Sequence, residues 1–288
     1  MYPPRFDYYR ATSVQEAVRL LQEHPEAKVL AGGHSLLPMM KLRLAAPPVL
    51  VDIGRIEELR GIQDMGNTLR IGALTTHWEL EKSDVLARKC PLIPEAAAQI
   101  GDRQVRHRGT IGGNLVHADP GSDLPAVILA LDGTLHLAGP NGSRQVAARD
   151  FFLDLMTTAV QPGEILTAVE VPVLGERTGT AYLKFEHPAS GYAVCGAAAI
   201  VTLNADGTVA QARLCFNGIA ATPFNAQPVA DALVGRTPDD DTIDAVVDQH
   251  LQVDDPMGDV FASGAYRVEL AKVFAKRALK RARDRARG

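Results

Sequence analysis

RHRGTIGGNLVHADPGSD, residues 106–123, shows almost no hydrophobic periodicity, and extended back to Arg103 it holds four glycines. A stretch this long without a repeating pattern more often serves a ligand than a core, so it reads as an irregular functional segment. At its centre, Thr110-Ile111-Gly112-Gly113-Asn114 sets a glycine pair between two small hydrogen-bonding residues. A second pair stands upstream in Ala31-Gly32-Gly33-His34-Ser35, directly after Lys28-Val29-Leu30. Paired glycines let backbone amides approach a ligand where a β-carbon would collide. Successive amides in such turns make a concave anion site, and Ser35, Thr110 and Asn114 add side-chain donors. A single Gly-Gly turn is commonplace, but two so flanked fit a diphosphate held between them. Neither Gly-x-Gly-x-x-Gly nor Gly-Lys-Ser/Thr occurs, which excludes a Rossmann fingerprint and a P-loop.

The first glycine pair sits inside a small α/β unit. Phe6–Tyr9 is a strand candidate, and Ser13 with Glu16 forms a capping-box signature ahead of Val14, Ala17, Val18 and Leu21 at helical spacing. Lys28–Ala31 and Val49–Ile53 read as buried strands, with a short helix over Leu36–Leu44. Strand–helix–strand alternation predicts parallel pairing, with the loops gathered at strand ends.

Beyond Gly54 a hairpin is expected to turn at Gly66-Asn67. Helices follow around Thr76–Lys82, Leu92–Ile100 and Leu124–Leu131, and strands at Thr134–Leu137 and Ile165–Val171. The loop Gly175–Gly179 is the expected boundary of a second domain. That domain opens with strands at Tyr182–Glu186, Ala197–Leu203 and Val209–Phe216 and ends in helices at Asp241–Leu251 and from Ala265 onward. Strands followed by helices make it α+β. The last helix is rich in Lys and Arg but keeps an apolar stripe at Leu270, Phe274 and Leu279, so it reads as a solvated helix or a subunit contact rather than a nucleic-acid arm.

The totals permit two domains in 288 residues, and 46% apolar with 22% charged is enough to build cores. A net charge of −4 gives no general pull toward nucleic acid or anionic lipid. The start, MYPPRFDYYR, lacks the apolar run of a signal peptide, and no segment approaches the ~20 apolar residues of a membrane helix. A soluble cytoplasmic protein is expected. Cys90, Cys195 and Cys215 are isolated and read as inert buried thiols, and no His-Glu-x-x-His occurs, so no metal site is expected in this chain.

The segments KVLAGGHSLLPMMKLRL (Lys28–Leu44) and RHRGTIGGNLVHADPGSD (Arg106–Asp123), with the region around Lys184, resemble the molybdenum hydroxylase family. The resemblance is to the FAD-binding medium subunit of its carbon monoxide dehydrogenases and the flavin domain of its xanthine dehydrogenases, and it spans the whole chain. It implies an α+β FAD-binding fold of the vanillyl-alcohol-oxidase type over 1–174, with subdomains 1–54 and 55–174, and a C-terminal α+β domain over 175–288. It also implies that Lys28, Val29, Leu30, Ala31, Gly32, Gly33, His34 and Ser35 form the first flavin segment, and that Thr110, Ile111, Gly112, Gly113 and Asn114 form the second. By the same resemblance Ile100 would touch the cofactor, Asp123 would bond the adenosine half, and Leu166 would offer a backbone contact near the adenine. Lys184 matches a lysine by the pyrimidine edge of the flavin, where a cation would favour the anionic reduced form. Tyr192 corresponds to an aromatic residue that lies close to the ring in the family. Read without the resemblance, Asp123 caps a helix, Lys184 faces solvent on a strand and Tyr192 is a core tyrosine.

The implied partners are a large molybdopterin subunit and a small subunit with two [2Fe-2S] clusters, assembled as a dimer of heterotrimers. This chain would relay electrons from them to an external acceptor and has no catalytic residue of its own. Carbon monoxide-oxidising members carry a basic run and Gly-Asp where this chain has Lys184-Phe185-Glu186-His187-Pro188-Ala189-Ser190-Gly191-Tyr192. An aldehyde, a purine and an N-heteroaromatic therefore stand beside carbon monoxide as substrates of the complex. Two other classes remain open. A self-sufficient flavin oxidase would need its own substrate domain, and a non-enzymatic nucleotide-binding subunit would carry no redox chemistry.

Overall fold

The computed structural model describes residues 2–288. The first unit runs β1 (Asp7–Arg10), α1 (Val14–Glu23), β2 (Lys28–Leu30), α2 (Leu36–Lys41) and β3 (Val49–Asp52), in a parallel sheet ordered β1-β3-β2. The Ser13 side chain caps α1 through the Glu16 amide, but Glu16 turns its carboxylate to Thr12 instead of completing the box. Val14, Ala17, Val18, Leu20 and Leu21 bury one face of α1 against Val51, Ile53 and Ile56. A parallel sheet leaves its connecting loops at the strand ends, and the β2–α2 loop is the first glycine pair.

The second unit is built on a five-stranded antiparallel sheet. Its strands are β4 (Ile62–Asp64), β5 (Thr68–Gly72), β6 (Thr134–Gly139), β7 (Gly142–Ala147) and, after the short hairpin β8 (Phe152–Asp154) and β9 (Thr157–Thr158), β10 (Ile165–Pro172), in the order β4-β5-β10-β6-β7. Gly66, at φ +89°, makes the expected turn between β4 and β5. Six short helices cover the sheet: α3 (His77–Glu81), α4 (Asp84–Lys89), α5 (Leu92–Ala97), α6 (Arg103–Arg106), α7 (Ile111–His117) and α8 (Asp123–Ala130).

The 103–123 segment is therefore not irregular, as its sequence suggests. Thr110 caps α7 by accepting from the Gly113 amide at 3.1 Å, and Gly112 is needed because a β-carbon there would come within 2.6 Å of Ala73. Sequence periodicity fails here because the helix is short and its close contacts are made by backbone rather than by apolar side chains.

The third unit is the antiparallel sheet β11 (Thr178–Glu186), β12 (Ala193–Leu203), β13 (Val209–Asn217) and β14 (Phe224–Asn225), followed by α9 (Gln227–Leu233), α10 (Asp240–His250) and α11 (Gly264–Arg287). β12 is buried almost throughout because α11 covers one face of the sheet and the second unit covers the other. Tyr182, Ala198, Ile200 and Cys215 belong to the core of the second unit, so the third unit contributes to the same wall. The basic α11 is not merely solvated. Its stripe of Ala271, Phe274, Ala275, Ala278, Leu279 and Ala282 is buried. Arg267 reaches the carbonyls of Val194 and Gly218 at 2.7 and 2.5 Å, and Arg283 reaches Asp240 at 2.6 Å. Among the described residues no helix is long and apolar enough to cross a membrane, and no cluster of His, Cys, Asp and Glu could hold a metal ion.

Candidate functional site

A cleft of about 800 Å³ lies where the three units meet, at the large end of small-molecule sites. The β2–α2 loop, the start of α7, the start of α8, the β8–β9 hairpin and the loop after β11 all contribute to its lining. The two glycine segments, far apart in sequence, touch. A β-carbon on Gly32 would overlap the Arg108 carbonyl, so this glycine is required by the other segment and not only by a ligand. The segment Ala73–His77 fixes the second loop: Ala73 and Thr75 accept from the Gly112 and Ile111 amides, and the His77 amide donates to Gly109 at 3.0 Å.

The two loops offer different chemistry. In the first, the amides of Gly32, Gly33, His34 and Ser35 have no acceptor among the described residues, which leaves a run of free donors in residues that line the cleft. In the second, the amides of Ile111, Gly112, Gly113 and Asn114 are already satisfied by Thr75, Ala73 and Thr110. The anion nest expected at both pairs is thus confined to the first. The second contributes Thr110 and Asn114 side chains, and the Asn114 Oδ1 has no partner among the described residues. A β-carbon on Gly113 would meet only Thr110 Oγ1, at 3.0 Å, and Ala31 Cβ, at 3.9 Å, so its remaining side is open to the cleft.

Lys28, Val29, Leu30, Ala31, Gly32, Gly33, His34, Ser35, Ile100, Thr110, Gly112, Gly113, Asn114, Asp123, Leu166 and Tyr192 all line this one cleft. Leu166 sits at the bulge of β10 against β6, where the register shifts. Tyr192, 41% exposed, packs over Gly121. Burial and then the nearby Asp119 carboxylate push its hydroxyl up, against a hydrogen bond with Ser35.

Ile111 and Lys184 do not line the cleft. Ile111 is fully buried in the core, as the first residue of α7 pointing away from the loop face. Lys184 lies behind the wall, its side chain 1% exposed. Its ammonium donates to the carbonyl of Gln99 at 2.6 Å, to that of Gly191 at 2.9 Å and to Asp123, whose Oδ1 is 3.1 Å away. Asp123 also accepts from the Tyr182 hydroxyl at 2.6 Å. Burial pushes the Asp123 carboxyl up, and Lys184 pulls it back.

His77 was not singled out by its sequence, yet it lines the cleft. Burial, with the Arg106 cation second, lowers its pKa to about 4, so it stands there as a neutral ring. Its Nδ1 is without a partner among the described residues. The β8–β9 hairpin, with Met156, Thr157 and Thr158 on the cleft, was also invisible in sequence, because strands this short carry no alternation to read.

A family signature described as FAD binding domain in molybdopterin dehydrogenase matches residues 4–174. The chain belongs to this FAD-binding subunit family of the molybdenum hydroxylases. A second signature, the CO dehydrogenase flavoprotein C-terminal domain, matches residues 180–282. The carbon monoxide dehydrogenase medium chain of Hydrogenophaga pseudoflava is 41% identical over 97% of both chains. The glyceraldehyde dehydrogenase medium chain of Sulfolobus acidocaldarius is 39% identical over 97% of this chain and 99% of its own. Quinoline 2-oxidoreductase from Pseudomonas putida 86 superimposes with a TM-score of 0.94 at 31% identity, over 99% of each chain. This chain is an FAD-binding subunit of an oxidoreductase complex.

Proposed function

We propose that the cleft holds FAD non-covalently and that the chain passes electrons from an iron–sulfur partner to an external acceptor. The free amides of Gly32–Ser35 are the observation that carries the placement: they suit a diphosphate, with Thr110 and Asn114 opposite. The adenosine half lies toward Asp123 and Leu166, and the flavin ring toward Ile100 and Tyr192. Bound there, FAD supplies the redox chemistry. The chain's residues bind it, orient it and limit its contact with water. Residues 1–174 form the cofactor-holding part, and 175–288 complete its wall through β11 and Tyr192.

The remaining partners are a large molybdopterin subunit and a small [2Fe-2S] subunit, in a cytoplasmic dimer of heterotrimers. Relatives named for carbon monoxide, glyceraldehyde and quinoline share this chain's fold or length nearly end to end. That spread supports a substrate choice made on the molybdenum subunit, with carbon monoxide, aldehydes, purines and N-heteroaromatics all compatible with this chain.

The test is metal and flavin analysis of the purified chain, followed by mixing. FAD should be present without stoichiometric molybdenum or iron, and substrate should reduce it only after both partners are added. Substrate-dependent reduction by the lone chain would instead mark a self-sufficient oxidase.

A further inference from the structure

His77 is the first residue of α3, whose start is fixed by a capping box between Thr76 and Glu79. Its amide donates to the Gly109 carbonyl at 3.0 Å. Its ring packs so closely on Gly109 that a β-carbon there would come within 2.7 Å of Cδ2 and 2.9 Å of Nε2. The residue is 3% exposed yet lines the cleft, and Nδ1 has no partner among the described residues. Buried polar atoms in folded proteins are nearly always bonded, and packing alone needs no imidazole here. A leucine would fill comparable space without a nitrogen to satisfy.

Contacts around Gly109 give the position of this ring along the cleft. On one side, Gly109 Cα stands 3.0 Å from the place of a Gly32 β-carbon, beside the free amides of Gly32–Ser35. On the other, the Val105 carbonyl stands 3.2 Å from the place of a Gly109 β-carbon, and the Val105 side chain packs on Gly101, next to Ile100. His77 therefore sits between the loop that suits a diphosphate and the Ile100 end of the cleft. In FAD the group between the diphosphate and the flavin ring is the ribityl chain, which carries hydroxyls.

We propose that His77 is a cofactor contact, its uncommitted ring nitrogen hydrogen-bonded to a ribityl hydroxyl of FAD. The inference rests on FAD occupying the cleft. A neutral imidazole has one donor and one acceptor nitrogen; a hydroxyl serves either, whereas a phosphate oxygen only accepts. The groups facing the ring keep it neutral. Burial and then the Arg106 cation lower its pKa to about 4, and His34 acts in the same direction. Arg106 is itself committed to Glu81 at 2.8 Å and to the carbonyls of Ile100 and Gly101 at 3.0 Å. His34 Nδ1 faces the Gly32 carbonyl at 3.1 Å. Among the described residues no carboxylate acts on the His77 ring to hold a proton there.

Calorimetric titrations of the full chain with FAD and with ADP, which lacks the ribityl chain, locate the contact. His77→Leu should weaken FAD roughly tenfold and leave ADP unchanged, and His77→Asn, which restores a polar atom near the place of Nδ1, should recover most of the loss. The ratio of wild-type to His77→Leu affinity for FAD should stay constant from pH 8 to pH 6, because the ring is neutral throughout. Unchanged FAD affinity in His77→Leu, or an equal loss for ADP, would overturn the proposal. So would a ratio that grows as pH falls, the mark of a charged ring on the diphosphate.

Nitrogen-15 NMR of the histidine rings in the wild-type chain decides the matter even where a variant does not fold. The assigned His77 ring nitrogens should shift on saturation with FAD and stay in place with ADP. A His77 ring that FAD leaves unmoved overturns the proposal. A wild-type chain with no affinity for FAD fails the functional reading itself, a result distinct from any of these.

Discussion

The α-carbon of Gly32 rests on the main-chain carbonyl of Arg108, and a β-carbon there would also come within 3.0 Å of Gly109. The first glycine segment is therefore seated on the second, and the cleft floor is a backbone-to-backbone contact. Gly113, by contrast, has its unblocked side toward the cleft.

Two glycine variants should therefore behave differently. Gly32→Ala should lower the melting temperature of the flavin-free chain by several degrees, since the loops must part. Gly113→Val should lower the flavin-free melting temperature less, since only the Thr110 hydroxyl must give way, but bind FAD at least roughly tenfold more weakly, because Gly113 lines the cleft. Thermal scans with and without FAD read both. Equal flavin-free destabilisation in the two variants would refute the distinction.

His77 should make stability fall in mild acid. Its folded pKa is about 4, below the ordinary value of 6.5. The unfolded chain takes up a proton below about 6.5 and the folded chain does not until about 4, so stability is full above pH 6.5 and declines as pH falls toward 4. The cost is on the order of 3 kcal/mol across that window. Urea denaturation at several pH values should show this decline, and His77→Phe should flatten it.

The three cysteines should be silent toward thiol reagents in the folded chain. Cys90, Cys195 and Cys215 are buried, and burial pushes each thiol up to about 12. Reaction needs the thiolate and access to it. Ellman titration should find no free thiol in the native chain and all three in denaturant. Rapid reaction of any one in the native state would contradict the packing around it, and that of Cys215 the packing of the third unit against the second.

Arg285 should contribute measurable stability across the two halves of the chain. Its guanidinium bonds Glu95 of α5 at 2.6 and 3.1 Å and the Thr180 carbonyl of β11 at 2.5 Å. The arginine is 40% exposed, so the gain is reduced by solvent screening. Arg285→Ala should cost about 1 kcal/mol. Arg281→Ala, whose nearest Glu95 oxygen is 3.9 Å away, should cost less, and chemical denaturation compares the two.

The glycine pairs, with Ser35, Thr110 and Asn114 beside them, marked in the sequence two of the segments that line the cleft, because small residues in series signal close backbone approach whatever the fold. The β1–α1–β2 alternation and the antiparallel third sheet were equally visible, since runs of strand and helix follow side-chain periodicity. Tertiary contact settled what local pattern could not. It made 111–117 a helix by seating Gly112 on Ala73, and it used up that loop's amides while leaving those of Gly32–Ser35 free. It brought His77 to the cleft and turned Lys184 away from it onto Gln99, Gly191 and Asp123. The hydrogen-bond partners of an amide or an ammonium are set by segments distant in the chain, so residue type names the chemistry available, and only packing determines whether a ligand or the protein receives it.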